Sequence, residues 1–237
     1  MPNSLDMWST ITKLPRHAAF PMVVPFAVYI AFLFLGDIVG GSSMVEATAV
    51  DMRLFYPVKI ACVALLLLIF WKRYTELAKF NLRPREWMWG IAVGIAVFVL
   101  WINMDGGWMN IGQSTGFDPR NVAGGINWSM ALPRLIGAAL VVPIMEELFW
   151  RSFLLRWIAH PRFIGVTPAQ VGLKALILSS VVFGVEHALW LAGILAGLAY
   201  GWLYMKSNNL WVPILAHAVT NGLLGLWVLH TGQWAFW

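Results

Sequence analysis

Seven apolar runs, each near the length that crosses a bilayer and divided by short polar stretches, leave this chain few folds to adopt. A helix crossing a hydrocarbon core of about 30 Å needs about 20 mostly apolar residues. The runs are Ala18–Val39, Phe55–Trp71, Trp87–Asn103, Ala131–Trp157, Ala175–Leu189, Ala192–Met205 and Leu210–Leu229. Hydrophobic residues make up 60% of the 237 and charged ones 11%, against about 25% charged in a soluble domain. Lipid must therefore be part of the solvent. The expected fold class is all-α: a polytopic transmembrane helix bundle of about seven spans, or eight with an added interfacial helix. Residues 1–237 read as a single integral membrane domain, with three N-terminal spans over 18–103 and a second block over 131–229.

The charges test that count. With the N-terminus inside, twelve Lys and Arg fall in cytoplasmic stretches, and only Arg53, Arg120 and Arg134 fall outside. That excess marks the cytoplasmic side and puts the C-terminus outside. Many of the fifteen tryptophans, among them Trp71, Trp87, Trp108 and Trp211, sit at run ends, where an amphipathic ring prefers the interface. The net charge of +5 forms no stripe or arginine-rich arm, so no nucleic-acid partner is expected. Cys62, the only cysteine, supports neither a disulfide framework nor a thiolate metal cluster. Met1–Arg16 lacks an apolar stretch with a small-residue cleavage site, so a cleavable signal peptide is not expected.

Lys174 and Lys206, both assigned inside, are only 32 positions apart, which leaves each arm of that hairpin about 16 residues, or roughly 24 Å of helix. The hairpin should turn before the far surface, near Trp190–Gly193, and hold His187 at membrane depth. Residues 104–130, rich in Gly, Asn and Asp, read as an outer loop.

Charged groups at that depth are costly and normally face a bundle interior or a water-filled cavity. Glu147 and Arg151, four apart, share a helix face and can pair. Glu146 points about 100° away without a local partner, the setting of a carboxylate that can serve as a general base. Phe183-Gly184-Val185-Glu186-His187 supplies an imidazole and a further carboxylate. His217 and Asn221, again four apart, emerge on one face, where an imidazole and an amide can donate to a developing oxyanion.

In this order, Glu146-Glu147-x-x-x-Arg151, Phe183-x-x-x-His187 and His217-x-x-x-Asn221 resemble the CAAX prenyl proteases and bacteriocin-processing enzymes. The likeness covers residues 131–229. Within the family, the stretch from Glu146 to Trp157 is most similar to the bacterial branch associated with exosortase and PEP-CTERM protein sorting. The resemblance implies a CAAX-protease-like endopeptidase in a bacterial inner membrane. Its substrate would be a membrane-embedded or membrane-proximal peptide, lipid-modified or C-terminally sorted. It implies that Glu146 and His187 activate water, that His217 and Asn221 stabilise the oxyanion, and that Glu147 and Arg151 support helix and charge balance. No cofactor is the preferred reading; the alternative is Zn2+ on Glu146, His187 and His217, a set with an open water position. The role of Glu186 stays open.

Blander readings stand beside these. A Glu-Arg pair at helical spacing is commonly a structural staple, and His217 with Asn221 could be interhelical glue. A binding protein or chaperone, or a proton-coupled transporter, could reuse the same residues. Asp37 and Lys59 are expected to pair, and Gly90, Gly94, Gly193, Gly197 and Gly201 to mark close helix packing.

Overall fold

The computed structural model describes residues 17–40, 51–78, 80–111 and 116–237. Each of the seven apolar runs lies on one helix. These are α1 Phe20–Gly40, α2 Phe55–Phe70, α3 Pro84–Asn103, α4 Trp128–Ala159, α5 Leu173–Val185, α6 Trp190–Ser207 and α7 Trp211–Thr231. Among the described residues no strand forms; Arg120 and Ile126 make one isolated bridge. By length and apolarity four helices can cross a membrane: α2 with its flanking turns, α3, α4 and α7. The outward faces carry large apolar side chains such as Leu68, Ile69, Ile95, Val182 and Leu226, the surface that lipid covers.

Small residues set which helices touch. A Cβ at Gly94 would lie 2.5 Å from the Ala216 carbonyl oxygen, and one at Gly90 2.8 Å from Leu215, so α3 lies directly on α7. A Cβ at Gly193 or Gly197 would meet Gly184 Cα or Ser180 Cα at 2.9 Å, which seats α6 on α5. The glycine pattern thus does the packing expected of it. Thr220 fastens the seam, donating to Gly94 O at 2.8 Å and accepting from the Tyr200 hydroxyl at 2.7 Å.

The α5–α6 hairpin turns at residues 186–189, earlier than Trp190–Gly193. Gly193 already serves the close approach to Gly184, so it belongs inside α6, and its N–H bonds Leu189 O at 2.9 Å. The 13 residues of α5 rise only about 20 Å. His187 therefore sits on the tip of a short hairpin.

Helix α4 widens twice, into i→i+5 bonding over Gly137–Val141 and Leu148–Leu155, on either side of the two glutamates. Such bulges are frequent at functional sites. Below the second one, Glu76 accepts from Ser152 Oγ, from Arg156 Nη2 at 2.8 Å and from Tyr204 OH at 2.6 Å. This polar knot, which sequence reasoning did not single out, joins α4 and α6 to the segment after α2. At the other end Arg53 ties the outer loop down, donating to the carbonyls of Asp118 and Arg120 while pairing with Asp51.

Lys59 was expected to pair with Asp37, whose side chain lies outside the described residues. Lys59 is buried with its Nζ 3.9 Å from the centre of the Tyr29 ring.

Candidate active site

The residues singled out in sequence come from three separate segments: α4 brings Glu146, Glu147 and Arg151, the α5–α6 tip brings His187, and α7 brings His217 and Asn221. Glu146, His187, His217 and Asn221 line one cavity of about 150 Å³. Its walls also include Tyr29, Tyr56, Trp101, Arg134, Tyr200 and Trp237. None of those six was picked out as a site residue, because a tyrosine or tryptophan in an apolar run looks like core or interface until the helices are assembled. Arg134, read as an outer topology charge, faces this cavity instead.

The two glutamates part as their helix positions require, and the structure adds a contact. Glu147 is fully buried and forms an ion pair with Arg151 Nε at 3.1 Å. Its other oxygen accepts a hydrogen bond from His217 Nδ1 at 2.9 Å. Glu147 is thus a link between α4 and α7 as well as a staple within α4. The link escapes a reading by spacing because the partners are seventy residues apart. Glu146 stays free of hydrogen bonds at Oε2, and that oxygen lies 4.0 Å from His217 Nε2, too long for a hydrogen bond.

The two imidazoles are both oriented through Nδ1. His187 Nδ1 lies 2.8 Å from Phe183 O, an arrangement that fixes the proton on Nδ1 and leaves Nε2 as the acceptor. Trp101 meets the His187 ring edge to face at 5.4 Å. His217 stacks on Tyr200 at 5.1 Å, and with Nδ1 given to Glu147, its Nε2 is the free nitrogen.

Asn221 is placed by the first widening of α4. Val142 N–H bonds Gly137 O, five residues back, so it cannot serve Ala138 O. The next candidate donor, residue 143, is a proline without an N–H. Asn221 Nδ2 fills the vacancy, donating to Ala138 O at 2.9 Å. One amide hydrogen holds the side chain in place and the second remains.

Among the described residues no group of three or more His, Cys, Asp and Glu is gathered as a metal site. Glu146, His187 and His217 share the cavity, with Glu146 Oε2 4.0 Å from His217 Nε2.

Comparison with known proteins points to the same part of the chain. The family model for type II CAAX prenyl endopeptidase Rce1-like proteins matches residues 128–223. Residues 128–223, fewer than half of the 237, are similar to that family. This Rce1-like region spans α4 to most of α7 and contains Glu146, Glu147, Arg151, His187, His217 and Asn221. A Bacillus subtilis (strain 168) protein named "Putative membrane peptidase YdiL" is 30% identical over 93 residues. That alignment covers 37% of this chain and 34% of the relative, so the chain spans about a third of the curated relative it matches. No solved structure matches. With its apolar helices and the Rce1-like region, the chain is an integral membrane protein.

Proposed function

We propose that this protein is an intramembrane endopeptidase that hydrolyses a peptide bond in a membrane-embedded or membrane-proximal substrate. The observation that carries the reading is that Glu146, His187, His217 and Asn221, from three segments of the Rce1-like region, line one cavity. In this reading Glu146 takes a proton from a water molecule that also donates to His187 Nε2, and the water oxygen bonds to the scissile carbonyl carbon. The carbonyl oxygen becomes an oxyanion facing the second amide N–H of Asn221 and Nε2 of His217, which donates from the doubly protonated ring. Glu147 carries the matching charge against His217 Nδ1. The C–N bond then breaks, and the proton held by Glu146 passes to the departing amine.

The reaction as proposed needs no metal. The substrate carries a lipid modification or a C-terminal sorting segment. The chain sits in a bacterial inner membrane, N-terminus cytoplasmic and C-terminus outside, as the twelve-to-three division of Lys and Arg supports.

The test is cleavage of a membrane-tethered reporter by the purified chain in detergent. Glu146→Gln should lower turnover by about 10² to 10⁴. A variant that cleaves as well as wild type would sink the mechanism; no cleavage by wild type would favour a transporter or binding protein. Chelator in the same assay should change nothing; loss of activity restored by Zn2+ would overturn the metal-free reading.

A further inference from the structure

One cation lining the cavity has no ion-pair partner among the described residues. The Arg134 guanidinium carbon lies 4.2 Å from the centre of the Tyr56 ring, 5.6 Å from Phe117 and 6.0 Å from Trp237. Three aromatic rings surround it and the Tyr56 hydroxyl is a polar neighbour, yet no described carboxylate pairs with it, and its Nε is wholly buried without an acceptor. Lys59 repeats the pattern. It is 5% exposed, with Nζ 3.9 Å from the Tyr29 ring centre and 5.0 Å from that of Tyr56; it has no described hydrogen-bond acceptor, and the carboxylate whose charge it feels is that of Glu146. Tyr29 and Tyr56 are both cavity walls.

Contact with ring faces offsets part of the cost of burying a cation. It leaves the planar N–H edge of the guanidinium unfilled, and that edge matches the two oxygens of a carboxylate. The acidic group that could answer it within the site is Glu146, but Glu146 stands twelve residues further along α4, about 18 Å of helix rise, and the two make no ion pair. Arg134, Ala138, Val142 and Glu146 recur every four residues and all line the cavity. The guanidinium and the candidate base thus mark two ends of one wall.

We propose that Arg134, backed by Lys59 behind Tyr29 and Tyr56, is a carboxylate-binding subsite that holds an acidic group of the peptide substrate at the end of the wall away from Glu146. The inference rests on the endopeptidase reading for the word substrate, and on the unpaired cations for the chemistry. An extended peptide advances about 3.3 Å per residue, so the carboxylate belongs about five residues from the scissile bond. It is either the α-carboxylate of a chain end or an Asp or Glu side chain at that position.

Three tethered peptides separate these sources: one ending in a free carboxylate five residues beyond the scissile bond, its C-terminal amide, and the amide with Glu at that position. For wild type, amidation should raise KM about 10- to 100-fold, the worth of a charged hydrogen-bonded pair, with kcat nearly unchanged. Recovery by Glu assigns a side-chain carboxylate; no recovery assigns the chain end. Arg134→Gln should erase the difference between acid and amide, and Arg134→Lys should restore part of it. Equal KM for acid and amide with wild type would overturn the proposal, as would an Arg134→Gln variant that weakens both peptides alike. Binding is read separately on the Glu146→Gln chain, by quenching of tryptophan fluorescence with nitrophenyl-labelled versions of the same peptides. Acid-selective, Arg134-dependent binding without any cleavage by wild type would sink the endopeptidase reading and leave the subsite standing. The assays run in phosphate-free maltoside detergent. If added phosphatidylglycerol abolishes the acid preference competitively, the subsite belongs to a lipid phosphate and the peptide assignment falls.

Discussion

Gly94 is where helix packing and the candidate site meet, and Gly94→Ala tests both. The added methyl would sit 2.5 Å from Ala216 O and 2.8 Å from Val219 Cβ, whereas ordinary contact begins at 3.4 Å. The carbonyl oxygen would therefore have to recede by about 0.9 Å, the difference between those two distances. Ala216 O is main chain within α7, so no rotamer change can relieve it. In isolation Ala is favoured over Gly in a helix by up to about 1 kcal/mol. Overpacking costs about 1–3 kcal/mol, and strain on the Thr220 bond to Gly94 O adds about 1 kcal/mol. The clash wins, for a net loss of about 2 kcal/mol and a Tm lower by roughly 4–8 °C. His217 follows Ala216 directly, and a displacement near 1 Å at a reacting group costs on the order of 10²-fold in rate. Thermal unfolding in detergent and reporter cleavage read the two effects. Gly222→Ala on the same helix is the control, because its Cβ would meet only Ala139 Cβ at 3.9 Å, and it should be neutral or slightly stabilising. A Gly94→Ala protein as stable as Gly222→Ala would refute the close-packing argument.

Three further outcomes follow from the geometry. Glu147→Gln leaves Arg151 buried against an uncharged partner, and its amide oxygen can accept from His217 Nδ1 only with the NH2 turned toward Arg151, so it should cost about 3–5 kcal/mol; Glu146→Gln, which breaks no ion pair within hydrogen-bond reach, should cost far less, and equal losses in thermal unfolding would contradict the assignment. Asn221→Ala orphans Ala138 O and should cost about 1–3 kcal/mol; adding Pro143→Ala supplies an N–H within i→i+5 reach of that carbonyl and should recover part of the loss, measured against each single variant. In the outer loop, hydrogen bonds from Arg53 and Arg120 hold the Asp51 and Asp118 carboxyls below their ordinary value of 3.8. A lowered folded-state pKa stabilises above the unfolded value and is lost as pH falls through the folded one. Protease resistance of the loop should therefore be flat from neutral pH to about 4 and decline below it; a decline near pH 6 would point to a different group.

How much of this was legible in the sequence depends on whether a feature is local to one helix. The seven helices were legible because each apolar run is nearly continuous. The glycine spacing was legible because a four-residue repeat of small side chains lines one face of a helix and favours a close neighbour there. The hairpin turn was misplaced by four residues because Gly193 has two readings, turn or contact, and only the position of Gly184 decides between them. Glu147 was half legible: its pairing with Arg151 follows from spacing, but its bond to His217 exists only once α7 lies against α4. Arg134 was the hardest. Twelve residues from Glu146 in an apolar run, it looks like a topology charge, and its place in the cavity depends on Tyr56, Phe117 and Trp237 arriving from three other parts of the chain.

The widened turns of α4 explain why these long-range contacts come together on one helix. In unbroken α-register, Val142 N–H would satisfy Ala138 O and leave Asn221 nothing to hold on α4. The shift to i→i+5 bonding at Gly137–Val141 hands Val142 N–H to Gly137, and Pro143 ensures that no other main-chain donor replaces it. The orphaned carbonyl therefore selects a side chain from α7, one turn beyond His217. Three residues past Pro143, Glu146 enters the cavity and Glu147 turns to the same histidine. A proline that appears only to interrupt an apolar run thus fixes the register between the helix bearing the carboxylates and the helix bearing the imidazole and the amide. The Asn221→Ala and Pro143→Ala pair measures that coupling directly, because the second substitution can rescue the first only if the vacancy in α4 is what the asparagine fills.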